Sequence, residues 1–235
     1  MSNPSIGLTI STFGTPDYIQ LAMEVMKNNG IKIPVLVHDD SSGDENLQHV
    51  CRGYKCDFFS TPFRYGHFAG DVTSVYNGLI WAENNKIDIL VKMSRRFIPL
   101  FDWTKSLLET VKKSSNFTYG NRCNYFNFPL RTECVAYVVK KWINDLEDLK
   151  KVITKYANPP FRNLTTGGHI EFEMFNMAKN FGIWNEIGNN RMQKMSNILW
   201  HDCCGESDYE NHLKKFDTPL LPNVILEQPS IPKFW

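Results

Sequence analysis

The chain has no uninterrupted apolar segment approaching the roughly 18 residues that a membrane-spanning helix needs. Its first residues, Met1-Ser-Asn-Pro4, lack the basic and apolar stretches of a signal peptide, so a soluble, cytoplasmic protein is expected. It also lacks an excess of either charge: 26 Lys and Arg against 25 Asp and Glu leave +1. That balance argues against a broad nucleic-acid surface but leaves room for a small cationic pocket. The six cysteines (Cys51, Cys56, Cys123, Cys134, Cys203, Cys204) contain no Cys-x-x-Cys pair, and neither they nor the histidines have zinc-site spacing. Reduced thiols and no structural metal are expected. There is no Gly-x-x-x-x-Gly-Lys-Ser/Thr, no Gly-x-Gly-x-x-Gly after the first strand and no Gly-x-Ser-x-Gly. P-loop nucleotidases, dinucleotide-dependent oxidoreductases and α/β hydrolases are disfavoured accordingly. Asn116-Phe-Thr118 and Asn163-Leu-Thr165 match the glycosylation triplet, which means little without a secretory route.

What is present is core-forming. At 235 residues, with 42% hydrophobic and 13% aromatic content, the chain can bury a sizeable core. Its first half alternates strand-like and helix-like periods. Ile6 to Thr12 reads as a strand, Pro16 to Asn29 as a helix closed by Gly30, and Ile33 to His38 as a second strand running into the acidic loop Asp39 to Asp44. A short helix over Glu45 to Cys51, a strand at Asp57 to Ser60, a helix between Gly66 and Asn85 and a strand from Ile87 to Met93 follow. Parallel neighbours need crossover helices, so this pattern predicts a three-layer α/β/α sandwich with a mostly parallel central sheet. The second half is less regular: helices over Asp102 to Ser114, Lys140 to Ile153 and His169 to Asn180 (stopped by Gly182), an aromatic strand and loop region from Phe117 to Phe128, a strand or the start of the next helix over Glu133 to Val139, and a loop-rich tail from Ser196. Phe126, Phe128, Trp103, Trp184 and Trp200 are either stacking platforms for a ligand or, more often in a chain of this size, core.

Ligands of such sheets bind at the carboxyl ends of the strands. Those ends carry Ser11-Thr12-Phe13, His38-Asp39-Asp40 and Ser94-Arg95-Arg96. The last of these closes the run Ile87-Asp-Ile-Leu-Val-Lys-Met-Ser-Arg-Arg-Phe-Ile-Pro99 and delivers two guanidiniums to the end of a buried strand, which predicts an anionic ligand.

Strand Ile6 to Thr12, the strand-loop Val35 to Asp44, the helix Asp71 to Trp81 and the strand Ile89 to Arg96 together resemble the nucleotide-binding half of a GT-A-fold glycosyltransferase, well over residues 1–100 and patchily beyond. The resemblance implies one domain, 1–235, with 1–100 binding the nucleotide and 101–235 forming the acceptor side and C-terminal tail; it also fits a module of a larger protein. It implies a nucleotide-sugar donor, UDP-type, held by Thr12, Phe13, Asp39, Asp40, His67, Asp71, Ser94 and His201, and a glycan or glycoconjugate acceptor. Where metal-using members carry Asp-x-Asp, this chain has Ser94-Arg95-Arg96. Guanidiniums cannot ligate a cation but can neutralise a diphosphate, so no obligatory metal cofactor is expected and Arg95 and Arg96 take the catalytic charge-stabilising role. The segment Thr165 to Met174, followed by Gly182, resembles the stretch that carries the base of inverting members; Glu171 takes that position and Glu173 the second acidic one. His201, beside Trp200 in a loop, resembles the segment that closes over donor phosphates. The alternatives are a non-catalytic nucleotide-sugar or glycan-binding domain of the same fold and, less well matched, a nucleotidyltransferase, which would want a metal and a basic, Gly-rich first loop.

Overall fold

A computed structural model describes residues 3–95, 97–99, 103–123, 128–158, 169–178, 180–187, 192–195 and 198–201. The elements run β1 (Ile6–Thr12), α1 (Pro16–Asn28), β2 (Val35–Asp39), α2 (Glu45–Tyr54), β3 (Asp57–Ser60), α3 (His67–Asn84), β4 (Ile89–Ser94), β5 (Phe97–Pro99), α4 (Thr104–Lys112), β6 (Thr118–Cys123), β7 (Phe128–Val138), α5 (Val139–Trp142), a 3₁₀ turn (Ile143–Asp145), α6 (Leu146–Ala157), α7 (His169–Met177), β8 (Phe181–Ile187), β9 (Met192–Met195) and β10 (Ile198–His201).

A seven-stranded sheet has the order β3-β2-β1-β4-β7-β6-β8 and draws on both halves of the chain. Only the two pairings of β7, with β4 and β6, are antiparallel; β1 pairs in parallel with β2 and β4, β2 with β3, and β6 with β8. The sheet is therefore mostly parallel, as the alternating periods require. Side chains alternate across it. Ile6, Leu8, Ile10, Val35, Val37, Ile89, Val91 and Met93 pack under α1, α2 and α4, whereas Leu90, Val135 and Tyr137 pack under α3, α5, α6 and α7. Each fully buried aliphatic side chain contributes about 1.5–3 kcal/mol. Gly78 lets α3 lie close on the sheet: a Cβ there would sit 3.0 Å from Leu90 and 3.1 Å from Thr9.

The second half departs from the sequence reading in several places. Glu133 to Val139, readable as a strand or as the start of the next helix, belongs almost wholly to a strand that begins earlier, at Phe128, and Phe181 to Ile187 forms a strand where only a helix stop at Gly182 was expected. Trp200 and His201, expected in a loop, belong to β10, which joins β5 and β9 in a small antiparallel sheet with Trp200 opposite Phe97. Trp103 and Trp184 are core, 0% and 7% exposed, with ring centroids 5.8 Å apart. No helix of the described residues is long and apolar enough to cross a membrane.

Candidate functional site

Three strand ends are bolted together by their own backbone. Asp40 N–H donates to the Thr12 carbonyl at 3.0 Å and Arg95 N–H to the Ser11 carbonyl at 3.0 Å, so the ends of β1, β2 and β4 stop level. Beyond them lies a cavity of about 190 Å³ that Thr12, Phe13, Asp40, His67, Asp71, Ser94, Arg95 and Glu171 line together, with Ser11, His38, Arg64, Gly66, Gly70, Thr132, Glu133 and others. Residues up to 160 positions apart in sequence (Ser11 and Glu171) thus share one concavity.

Asp39 and Asp40, adjacent on an extended backbone, point to opposite faces. Asp39 is not among the lining residues. Its carboxylate accepts from Gly14 N–H at 3.0 Å, Ser41 N–H at 3.2 Å and Ser41 Oγ at 2.5 Å, and so organises the loops after β1 and β2. Asp40 faces α3. It accepts from Tyr65 N–H at 2.9 Å, Gly66 N–H at 3.1 Å and the Thr61 hydroxyl at 3.1 Å, satisfying amides just ahead of the helix. Burial pushes its carboxyl above the ordinary value, against those hydrogen bonds. Gly70 packs directly on it: an added Cβ would lie 2.5 Å from Oδ2. Gly70→Ala should gain roughly 1 kcal/mol in helix propensity. Displacing a carboxylate held by three hydrogen bonds should cost about 1–3 kcal/mol, so net destabilisation is expected by urea unfolding. A variant as stable as the wild type would contradict this packing.

Lys92 is wholly buried on β4. Its ammonium pairs with Asp71 and donates to the Thr132 carbonyl at 2.9 Å. Glu133 is held by Arg131, whose Nε donates at 2.9 Å. Glu171 is 6% exposed, in the first turn of α7. Glu173, two residues on, lies on another side of the helix, paired with Lys155 of α6 and outside the cavity. Arg95 lies over the Tyr18 ring at 5.6 Å and Arg64 over Phe13 at 4.2 Å, so each of these two lining guanidiniums is braced on an aromatic face. Arg96 lies outside the described residues, as do Phe126 and the side chains of Phe128, Trp200 and His201. His201 ends β10, one residue beyond the Trp200–Phe97 pair, on the side of that strand nearest the end of β4.

Arg64, Glu133 and Thr132 are lining residues that the sequence reading missed. Arg64 sits in an aperiodic loop whose one signal is its place two residues before the glycine that opens α3. His38, recognised as part of a strand-end cluster, was not singled out as a site residue. It is 1% exposed, with Nε2 3.0 Å from Asn77 Nδ2, and burial lowers its pKa from 6.5 to about 4. Between those values the unfolded chain binds the proton and the folded one does not. The contribution of neutral His38, up to about 3 kcal/mol, is therefore complete above pH 6.5 and lost as the pH falls toward 4. Asp40, shifted upward, has the opposite slope. Comparing urea unfolding of wild type and His38→Gln at pH 7 and 4.5 isolates the histidine: the variant should lose much less stability on acidification.

Among the described residues no group of three or more His, Cys, Asp or Glu is placed to hold a metal ion. Of the four described lining carboxylates, Asp40 is held by backbone amides, Asp71 by Lys92 and Glu133 by Arg131, and Glu171 is the fourth.

No protein-family model matches the sequence, and no curated protein matches it. Solved structures do. The galactosyltransferase LgtC, crystallised with donor and acceptor sugar analogs, superposes with TM-score 0.52 at 11% identity, over 75% of this chain and 72% of that one. The glycosyltransferase GlyE of Streptococcus pneumoniae TIGR4 gives 0.53 at 12%, over 77% of this chain but 45% of its own, so this chain spans less than half of that relative's length. At 10% identity and TM-scores of 0.51 and 0.50, the fold is shared with glucosyl-3-phosphoglycerate synthase from Mycobacterium tuberculosis, crystallised with Mn2+ and UDP, and with 4-diphosphocytidyl-2C-methyl-D-erythritol synthase from Anaerococcus prevotii. These likenesses establish the architecture: the chain has the GT-A-type fold.

Proposed function

We propose that this GT-A-fold chain is a glycosyltransferase that moves a sugar from a nucleoside diphosphate, UDP-type, to a hydroxyl of a glycan or glycoconjugate, with inversion and without an obligatory metal. The observation that carries the reading is the convergence of Arg95, Arg64 and Glu171 on one cavity at the ends of β1, β2 and β4. Inverting transfer needs a carboxylate to take the acceptor proton and fixed positive charge for the departing diphosphate. Glu171 would accept the proton of the attacking hydroxyl as its oxygen bonds to the anomeric carbon. The bond from that carbon to the diphosphate oxygen breaks with both electrons going to the leaving group, whose charge Arg95 and Arg64 receive, with Arg96 adjoining in sequence. Asp71, paired with Lys92, and the His67 ring would contact the ribose or donor sugar.

The nucleotidyltransferase reading draws on the likeness in fold to 4-diphosphocytidyl-2C-methyl-D-erythritol synthase. The loop after β1, Phe13-Gly14-Thr15, is neither basic nor Gly-rich, which favours sugar transfer. A non-catalytic domain of this fold would bind donor and turn nothing over.

Thermal-shift screening of UDP, GDP, CDP and ADP tests the binding half; UDP should raise the melting temperature most. Arg95→Ala should weaken UDP binding by about 10–100-fold, the worth of a charge-assisted hydrogen bond to phosphate. Transfer should persist in excess chelator. Abolition of turnover by EDTA, restored by Mn2+, would contradict the metal-free mechanism while leaving the fold assignment intact.

A further inference from the structure

A second and larger cavity, about 590 Å³, opens on the α3/α6 side of the strand-end cavity and within the roughly 300–1,000 Å³ typical of ligand pockets. Its walls are aromatic rings: Phe59, Phe63, Tyr65 and Tyr76. Phe59 and Phe63 are 40% and 53% exposed, two of five large apolar side chains open to solvent among the described residues, and the rings of Phe63 and Tyr65 lie 4.5 Å apart.

The partition between the two cavities is built from side chains that serve both. Arg64 lines each. His38, facing the first cavity, stacks on Phe59, facing the second, with centroids 5.3 Å apart and planes 21° from parallel; its Nε2 meets Asn77 of the second cavity at 3.0 Å. A ligand lying along Arg64 would pass from one to the other without leaving the protein surface.

The chemistry of the second cavity selects its occupant. Flat ring faces suit the C–H face of a pyranose, and the amides and hydroxyls of Asn77, Asn158 and Thr154 suit its hydroxyl rim. Among the described residues no carboxylate lines it, and Lys150 is already held by Glu147 at 2.7 Å, so its occupant need not be charged. We infer that this cavity is a carbohydrate subsite that takes a distal unit of the glycan whose reacting hydroxyl enters the first cavity. This rests on the transferase reading for its link to catalysis, but not for glycan binding itself.

The test uses the full chain, with cello-, chito-, xylo- and mannohexaose as probes, read by saturation-transfer NMR and calorimetry. Phe63→Ala removes an exposed ring, and Thr154→Trp fills the cavity from the exposed side of α6. At least one hexaose should bind, and each variant should weaken it by about tenfold or more, as truncating a central aromatic anchor does. The UDP-induced thermal shift should be unchanged. Failure of all four hexaoses to bind, binding indifferent to both variants, or a UDP shift abolished by Thr154→Trp would each overturn the inference. Loss of any UDP response in the wild type with hexaose binding intact would instead overturn the transferase reading and leave the glycan site standing.

Discussion

Replacing Glu171 by Gln is expected to lower transfer by about 10²–10⁴-fold, the range that general-base catalysis supplies, with UDP binding little changed. The substitution keeps shape and removes only the capacity to take a proton. The geometry makes Glu171 the choice over its neighbour. Ile170 and Met174 are buried one helical repeat apart, and Glu171, three residues before Met174, shares their inward side. Glu173 is paired with Lys155 and does not line the cavity, so Glu173→Gln should cost little activity. Steady-state kinetics with separate kcat and KM, beside calorimetric UDP affinity, decide it: a base shows a fall in kcat at constant donor affinity. Equal activity in Glu171→Gln and wild type would remove the proposed mechanism, and an absence of turnover in both would favour a binding domain.

Lys92→Met should destabilise the protein by about 3–5 kcal/mol, because it strands the Asp71 carboxylate at the sheet surface without its counter-charge. Lys92 is 0% exposed and also donates to the Thr132 carbonyl, which would lose its partner. Against a typical total of about 5–15 kcal/mol, that is a large fraction of the stability. The double variant Asp71→Asn, Lys92→Met should recover part of the loss, since an amide tolerates the missing ammonium better than a carboxylate does. Urea unfolding of the two single variants and the double gives the coupling directly. If Lys92→Met unfolds within about 1 kcal/mol of wild type, the pair is not what holds Asp71 in place.

The first half of the architecture was legible because buried parallel strands read as short continuous apolar runs and their crossover helices as 3.6-residue periods. β1, β2 and β4 are such runs, and their ends fall where the polar clusters stand. The second half was less legible for a physical reason. β7 reverses direction between two strands, and β8 pairs with a strand far from it in sequence, so neither borders a crossover helix of the regular kind. Trp200 and His201 looked like loop because β10 is short and gains its hydrogen bonds from β5 and β9 rather than from local pattern.

Sequence by itself determined the sheet type, the strand ends that carry the site and the choice of guanidinium over carboxylate at the end of β4, since each follows from period and residue type along one segment. Only the tertiary structure decided which charges share a space. It turned Asp40 inward and Asp39 into a loop anchor, brought Arg64 and Arg95 to one cavity, gave Asp71 its buried ammonium, and brought Glu171 to the strand ends. Those outcomes depend on long-range packing and on satisfying buried polar groups, which no local stretch of chain encodes alone.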